Sequence, residues 1–284
     1  MPLHERLTLR EFRRKAREGE KITMLALYDY ALAHLAQEAA IDGIIVGDSV
    51  AQQVYGHTNT LKATMDMMVR HTQAVRRGGP NLFVIADMPY MSYQPSVEAA
   101  VRNAGRFMAE GEADAVKFEG GTNVVEKLAA VIAAGIPVVG HLGFTPQSAA
   151  MAGGTIVQAR EADFAVRLVR EAVELDRAGV SLLILECVPP AVTDEVVKRL
   201  SIPVIGIGSG PSCHGVVLLA GDILGLTPGR SPGFVKKYAD LAGPVADAFR
   251  RYAAEVRGGD YPAVQQCYGM KDQERDAFLR QLQD

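Results

Sequence analysis

Cysteine is scarce in this chain, long apolar runs are missing, and neither sign of charge is in large excess. Three cysteines, Cys187, Cys213 and Cys267, stand far apart among 284 residues. An odd number at such spacing builds neither a disulfide framework nor a metal site, and it predicts free thiols. Acidic and basic residues nearly balance, for a formal net charge of −3, and there is no long basic run. That balance offers nothing to a phosphate backbone, so no nucleic-acid partner is expected. No apolar run is long enough to cross a bilayer, and the charged start MPLHERLTLREFRRKAREGEK lacks the apolar region of a signal peptide. No membrane partner and a cytoplasmic location are the resulting expectations. What is present, 48% hydrophobic and 22% charged residues, suffices for a sizeable globular core.

The most informative stretch is AVKFEGG, Ala115 to Gly121, an apolar strand that ends with a lysine and a glutamate two residues apart. Side chains alternate faces along a strand, so Lys117 and Glu119 point one way while Val116 and Phe118 point the other. Other apolar runs close in the same manner, at Asp48 (GIIVGDS), Asp87 (LFVIADMP), His141 (PVVGHLG) and Glu186 (LLILECVP). A strand that is apolar along its length and charged at its exit belongs to a parallel sheet whose carboxyl edge carries a site. Seven strand-then-helix units recur without a domain-sized break, which predicts an α/β protein built as a single (β/α)8 TIM barrel over 1–284. An amphipathic helix over about 5–20 is expected to cover the closed end. The eighth strand is assigned to FVKKY, Phe234 to Tyr238, after a helical stretch reaching Leu226. A helix over about 245–257 and a polar C-terminal tail over about 258–284 complete the expectation.

If strands two, three and four are neighbours, Asp48, Asp87 and Glu119 emerge side by side at the rim. Converging carboxylates repel one another and lose solvation, a conflict that a divalent cation resolves. All-oxygen ligands suit Mg2+ or Mn2+ better than zinc. The blander alternative is helix capping, but Asp48 lies well before its helix and glutamate is a poor N-cap. A hard cation flanked by Lys117 holds an anionic 2-oxo acid, polarises its carbonyl and acidifies the adjacent C–H. Glu186, across the barrel, is then placed to act as the base. Ser49 either binds the substrate carboxylate or satisfies its turn, and His141 either joins the site or bonds a loop. GGTN (Gly120 to Asn123) and GIGSG (Gly206 to Gly210) carry a weak phosphate-loop signal.

Taken together, VGDS, HTQAVRRG, ADMPYMSY, VKFEGG, GHLGFTPQS, LECVP and IPVIGIGSG resemble the ketopantoate hydroxymethyltransferase family, in matching order over roughly residues 7 to 262. The resemblance implies a (β/α)8 barrel in a homo-oligomer, a decamer. It implies transfer of a hydroxymethyl group from 5,10-methylenetetrahydrofolate to 3-methyl-2-oxobutanoate, giving 2-dehydropantoate for pantothenate synthesis through a metal-bound enolate. Asp48, Asp87 and Glu119 would be magnesium ligands. Ser49 and Lys117, with Asp48, Asp87 and His141, would bind the oxo acid, and Glu186 would accept the proton. Departures from the family pattern cluster in rim loops: Thr58-Asn59, Lys62, and GGTIVQA at Gly153 to Ala159, with Gln266 where histidine is common. They leave open a different oxo acid or one-carbon donor. Two other classes stand beside this reading: a lyase of the isocitrate lyase and phosphoenolpyruvate mutase type, and a non-catalytic binding paralogue.

Overall fold

The structure, a computed structural model, describes residues 6–150, 158–229 and 231–283. The chain divides into two compact units, the first ending at Lys237 and the second starting at Tyr238. Eight parallel strands close into a barrel in the first: β1 Ile22–Ala26, β2 Gly43–Val46, β3 Phe83–Asp87, β4 Ala115–Glu119, β5 Val138–Gly143, β6 Leu182–Glu186, β7 Val204–Ile207 and β8 Gly215–Leu219. Its helices are α1 Leu9–Glu18, α2 Tyr30–Glu38, α3 Val50–Gln53, α4 Met65–Gly78, α5 Val97–Ala109, α6 Val125–Ala133, α7 Ala162–Arg177, α8 Pro190–Arg199 and α9 Ala220–Ile223. The second unit carries α10 Ala242–Gly258 and, within the stretch expected as a tail, α11 Asp272–Gln281. No helix among the described residues is long and apolar enough to cross a membrane.

The two-residue period of the strands creates two cores. Val84, Ala86, Val116, Phe118, Leu183 and Leu185 point outward into the layer shared with the helices. Phe83, Ile85, Ala115, Val139, Leu182, Ile184, Ile205 and Val217 point inward and fill the barrel. Asp87, Lys117, Glu119, His141 and Glu186 continue the inward set, one or two steps further along the same strands. Burying both faces is why these strands read as continuous apolar runs, and the inward register is why their last residues meet.

The N-terminal helix covers the closed end, as expected. Phe12 of α1 is fully buried, with its ring 4.9 Å from that of Phe83. Thr64 caps α4, since its hydroxyl accepts from the Met67 N–H.

Two expectations are corrected. The eighth strand is Gly215–Leu219, in the stretch read as helical, and not Phe234 to Tyr238; it closes the barrel by pairing Ile22 with Gly215 through Ala26 with Leu219. The cause is the short connection from Ile207 to Gly215, which carries no crossover helix and breaks the strand-helix rhythm. Asp48 does not lie well before a helix either, because the one-turn α3 begins at Val50. Its side chain nonetheless caps nothing there.

Phe12→Ala empties the plug at the barrel floor and is expected to cost about 3–5 kcal/mol of stability, read from urea unfolding. A loss below about 1 kcal/mol, small for a buried ring, would show that the floor closes without it.

Candidate active site

All seven residues expected from the sequence, Asp48, Ser49, Asp87, Lys117, Glu119, His141 and Glu186, line one cavity of about 570 Å3 at the carboxyl end of the barrel. β2, β3 and β4 are neighbours, so their acids emerge side by side. Asp48, Asp87, Lys117 and Glu119 are each no more than 6% exposed. Lys117 Nζ stands 3.0 Å from Asp87 Oδ2, 3.7 Å from Glu119 Oε1 and 3.2 Å from His141 Nδ1. Burial alone would lower its pKa, but the carboxylates of Asp87, Glu119 and Asp48 more than offset this and keep it an ammonium. An ammonium has only donors, so its contact with Nδ1 puts the neutral imidazole proton on Nε2.

His141 joins the site. Its Nδ1 lies 3.5 Å from Glu119 Oε1, and its Nε2 lies 3.3 Å from Glu186 Oε2, off the alignment of a hydrogen bond. Burial and Lys117 disfavour charge on the ring, and Glu119 and Glu186 outweigh them, for a net rise in pKa. Ser49 accepts or donates a 2.7 Å bond with the Tyr28 hydroxyl. A Cβ at Gly47 would sit 2.8 Å from Ser49 Oγ, so the glycine of VGDS lets the turn fold tightly enough to present both Asp48 and Ser49.

Glu186 differs from the other acids: its side chain is 18% exposed, against 4% for Asp87 and 2% for Glu119. Backbone geometry fixes its place. Gly143 has φ +94, and a Cβ there would lie 2.1 Å from the Glu186 carbonyl oxygen. Cys187 follows with φ +54, a left-handed conformation that costs a non-glycine residue about 1–3 kcal/mol and is typical of functional turns. Burial and Glu186 push the Cys187 thiol up to about 11, so it is no nucleophile at neutral pH. All three cysteines are free, as expected.

Sequence reasoning missed Gln147, which ties the acids together. Its Nε2 donates to Asp48 Oδ2 at 3.0 Å and to the Met88 carbonyl at 2.9 Å, and its backbone N–H donates to Glu119 Oε2 at 3.0 Å. Its Oε1 accepts from the Tyr93 hydroxyl at 2.9 Å and from Gln94 at 3.1 Å. TPQS gave only a family likeness, because an uncharged amide in a loop carries no pattern of its own. The GIGSG loop is occupied structurally: Ser209 donates to the Leu185 carbonyl and accepts from the Val188 N–H.

With three carboxylates against one ammonium, the cluster is short of positive charge. Burial, with Glu119 and Asp87 adding to it, holds Asp48 well above the usual carboxylate range, and burial raises Asp87 despite Lys117. Glu119 is pulled down by His141 and Lys117 against its burial. Asp87 Oδ1 and Glu119 Oε1 are buried with no hydrogen-bond partner. The described residues contain no group of three His, Cys, Asp or Glu side chains set to hold a metal ion, so a ready-made three-acid cage is not present. Two orphaned carboxylate oxygens in an all-oxygen set do fit Mg2+, which takes one or two carboxylates and completes its shell with water and substrate.

Of the departures from the family pattern, Thr58 and Asn59 line the cavity and Lys62 does not. Gln266 lies in the second unit, and residues 153–157 lie outside the described residues.

Fold and site together define a (β/α)8-barrel enzyme with an acidic cavity at its rim. The model of the ketopantoate hydroxymethyltransferase family matches residues 6–264, and the chain belongs to that family, enzymes that transfer a hydroxymethyl group. The chain is 45% identical over 271 residues to the 3-methyl-2-oxobutanoate hydroxymethyltransferase of Syntrophomonas wolfei, covering 95% of this chain and 98% of that one. It is 47% identical over 262 residues to that of Moorella thermoacetica, covering 92% and 97%. Among solved structures, phosphonopyruvate hydrolase in complex with oxalate and Mg2+ matches with a TM-score of 0.59 over 97% of this chain and 98% of that one, at 17% identity. A 2,3-dimethylmalate lyase of the phosphoenolpyruvate mutase/isocitrate lyase superfamily matches with a TM-score of 0.57 over 94% and 92%, at 16% identity. Those two likenesses concern the fold alone.

Gln147→Ala strands the Asp48 carboxylate, the Met88 carbonyl and the Tyr93 hydroxyl without one partner each, and is expected to cost about 1–3 kcal/mol per group left unsatisfied. Urea unfolding without divalent cations measures it, and an unchanged midpoint would mean that water replaces the amide.

Proposed function

We propose that the chain catalyses Mg2+-dependent transfer of a hydroxymethyl group from 5,10-methylenetetrahydrofolate to 3-methyl-2-oxobutanoate, giving 2-dehydropantoate. The observation that carries this reading is the partly exposed Glu186 carboxylate, which rests against His141 and lines the same cavity as Asp48. The names borne by relatives at about 45% identity support the same substrate. Asp48 and Asp87, with Glu119 alongside, would hold the cation, which polarises a 2-oxo carbonyl and acidifies the C–H next to it.

The rest is the work of this chain's own side chains. Lys117 and Ser49 bind the substrate carboxylate, the former as a fixed ammonium and the latter aligned by Tyr28. Glu186 takes the proton from C3, the C–H electrons form the C2–C3 double bond of the enolate, and the carbonyl pair moves onto oxygen. The enolate pair then bonds C3 to the methylene carbon as its bond to one folate nitrogen breaks. Water replaces the second nitrogen and supplies the hydroxyl, and the proton held by Glu186 and one from that water go to the two nitrogens of the departing tetrahydrofolate. The His141 ring, 3.3 Å from Glu186 Oε2, stands beside the Glu186 carboxylate. The same proposal puts the reaction in pantothenate synthesis, in the cytoplasm, in a homo-oligomer. A second reading, a related 2-oxo acid in the same chemistry, is favoured by Thr58 and Asn59, which depart from the family pattern and touch the cavity.

Asp87→Asn removes a charge and no core volume, so titration calorimetry is expected to show weaker Mg2+ binding by a protein that still melts cooperatively. Unchanged Mg2+ affinity would reject Asp87 as a ligand. The base is tested without folate. In D2O with Mg2+ and 3-methyl-2-oxobutanoate the native protein exchanges the C3 hydrogen, and Glu186→Gln slows this by about 100- to 10,000-fold. Exchange at the native rate in the variant would remove Glu186 from the role.

A further inference from the structure

Half of the rim cavity has no task in the reading above. Lys117, His141, Glu186 and the Asp48–Ser49 turn form one side, while β8, α9 and the turn after it form the other. On that second side stands Asp222 of α9, which is 5% exposed and lines the cavity. Among the described residues no N–H or O–H group donates to its carboxylate and no cation pairs with it. Asp42, buried to a similar degree below the barrel, shows the usual remedy: it is bonded by Lys15 and by the N–H and hydroxyl of Thr23. The Asp222 carboxylate oxygens are not among the sealed, unpartnered atoms of the site, so they face the cavity, where a ligand with donors can take the place of water. The Tyr28 hydroxyl, near enough to feel its charge, is already engaged with Ser49.

The surroundings of Asp222 specify what that ligand looks like. Leu218, Leu219, Pro232 and Phe234 give apolar walls suited to a flat ring. Gln53 lies on the same side, and its Oε1 is occupied by the Thr227 hydroxyl at 3.0 Å, which leaves its Nε2 as a donor. The array therefore presents a two-oxygen acceptor and a separate amide donor. Two adjacent N–H groups, with a carbonyl nearby on the same ring, complement it, because a carboxylate accepts such a pair in the bidentate manner it uses with guanidinium.

We propose that Asp222 anchors the one-carbon donor by its 2-amino-4-oxopyrimidine ring, taking the ring N–H and the amino group on its two oxygens, with Gln53 donating to the 4-oxo group. This rests on the reading that a reduced folate is the donor. It divides the cavity into an oxo-acid side and a heterocycle side, with the reacting carbon between them.

Calorimetric titration of tetrahydrofolate and of its 2-desamino analogue, each into native protein and into Asp222→Asn with Mg2+ and 3-methyl-2-oxobutanoate present, tests it. Asparagine keeps the shape but loses one acceptor. The expected results are a loss of about 10- to 100-fold for tetrahydrofolate on Asp222→Asn, a similar loss for the analogue on native protein, and no further loss when both changes are combined. The analogue arm uses unaltered protein, so misfolding of the variant cannot mimic the result. Native affinity in Asp222→Asn, or losses that multiply when combined, would overturn the assignment of Asp222. Absence of tetrahydrofolate binding to native protein would instead overturn the folate reading itself, and this inference with it.

Discussion

A buried ammonium among three carboxylates is the constraint on which the upper layer of this barrel depends. Lys117 is nearly inaccessible, within 4 Å of both Asp87 and Glu119, and it cancels only part of the charge gathered around it. The remainder is distributed by hydrogen bonds rather than by more cations. The Asp48 N–H donates to Asp87 at 3.1 Å, and Gln147 donates to both Asp48 and Glu119. Each of these bonds is modest in isolation, but removing a donor from a buried carboxylate costs its full desolvation. The same bonds select which oxygens stay unengaged, and the two left orphaned are those available to a ligand. A layer arranged in this way favours further positive charge, which a cation entering the cavity would supply.

The chemistry exploits the contrast between this sealed cluster and Glu186. The acids proposed to bind are dry and fixed, whereas Glu186, proposed to move a proton, keeps one side open to the cavity. That difference comes from strand geometry: Glu186 pairs in register with Gly143 and Ile207, where β5 ends in a left-handed glycine and the chain leaves β6 through the strained Cys187. His141, one strand over, lies within 3.5 Å of both Glu119 and Glu186 and so touches both kinds of acid.

The strand-end acids were legible in the sequence because burial on both faces and a two-residue period leave a charged residue at the end of an apolar run conspicuous. Once β2, β3 and β4 are neighbours, the meeting of Asp48, Asp87, Lys117 and Glu119 follows with little further information. β8 was not legible, because the connection before it lacks a helix and GVVLL alone reads equally as helix or strand. Gln147 escaped because an amide becomes important only through partners on three other segments, namely Asp48, Met88 and Tyr93, brought to it by the fold.

Asp222 escaped for a related reason. It follows GVVLLAG, as Asp48 follows GIIVG, so its local pattern matches that of the site acids; only the misassigned strand hid it. With β8 placed at Gly215–Leu219, every strand from β2 to β4 and the pair β6 and β8 send an acid to the rim, while β5 sends His141. The acids on β2 to β4 share Lys117 and the amide of Gln147, and that of β6 leans on His141, so each has a partner within the protein. Asp222 has no donor among the described residues, and its carboxylate faces the cavity, where an entering molecule with paired N–H groups can complete it.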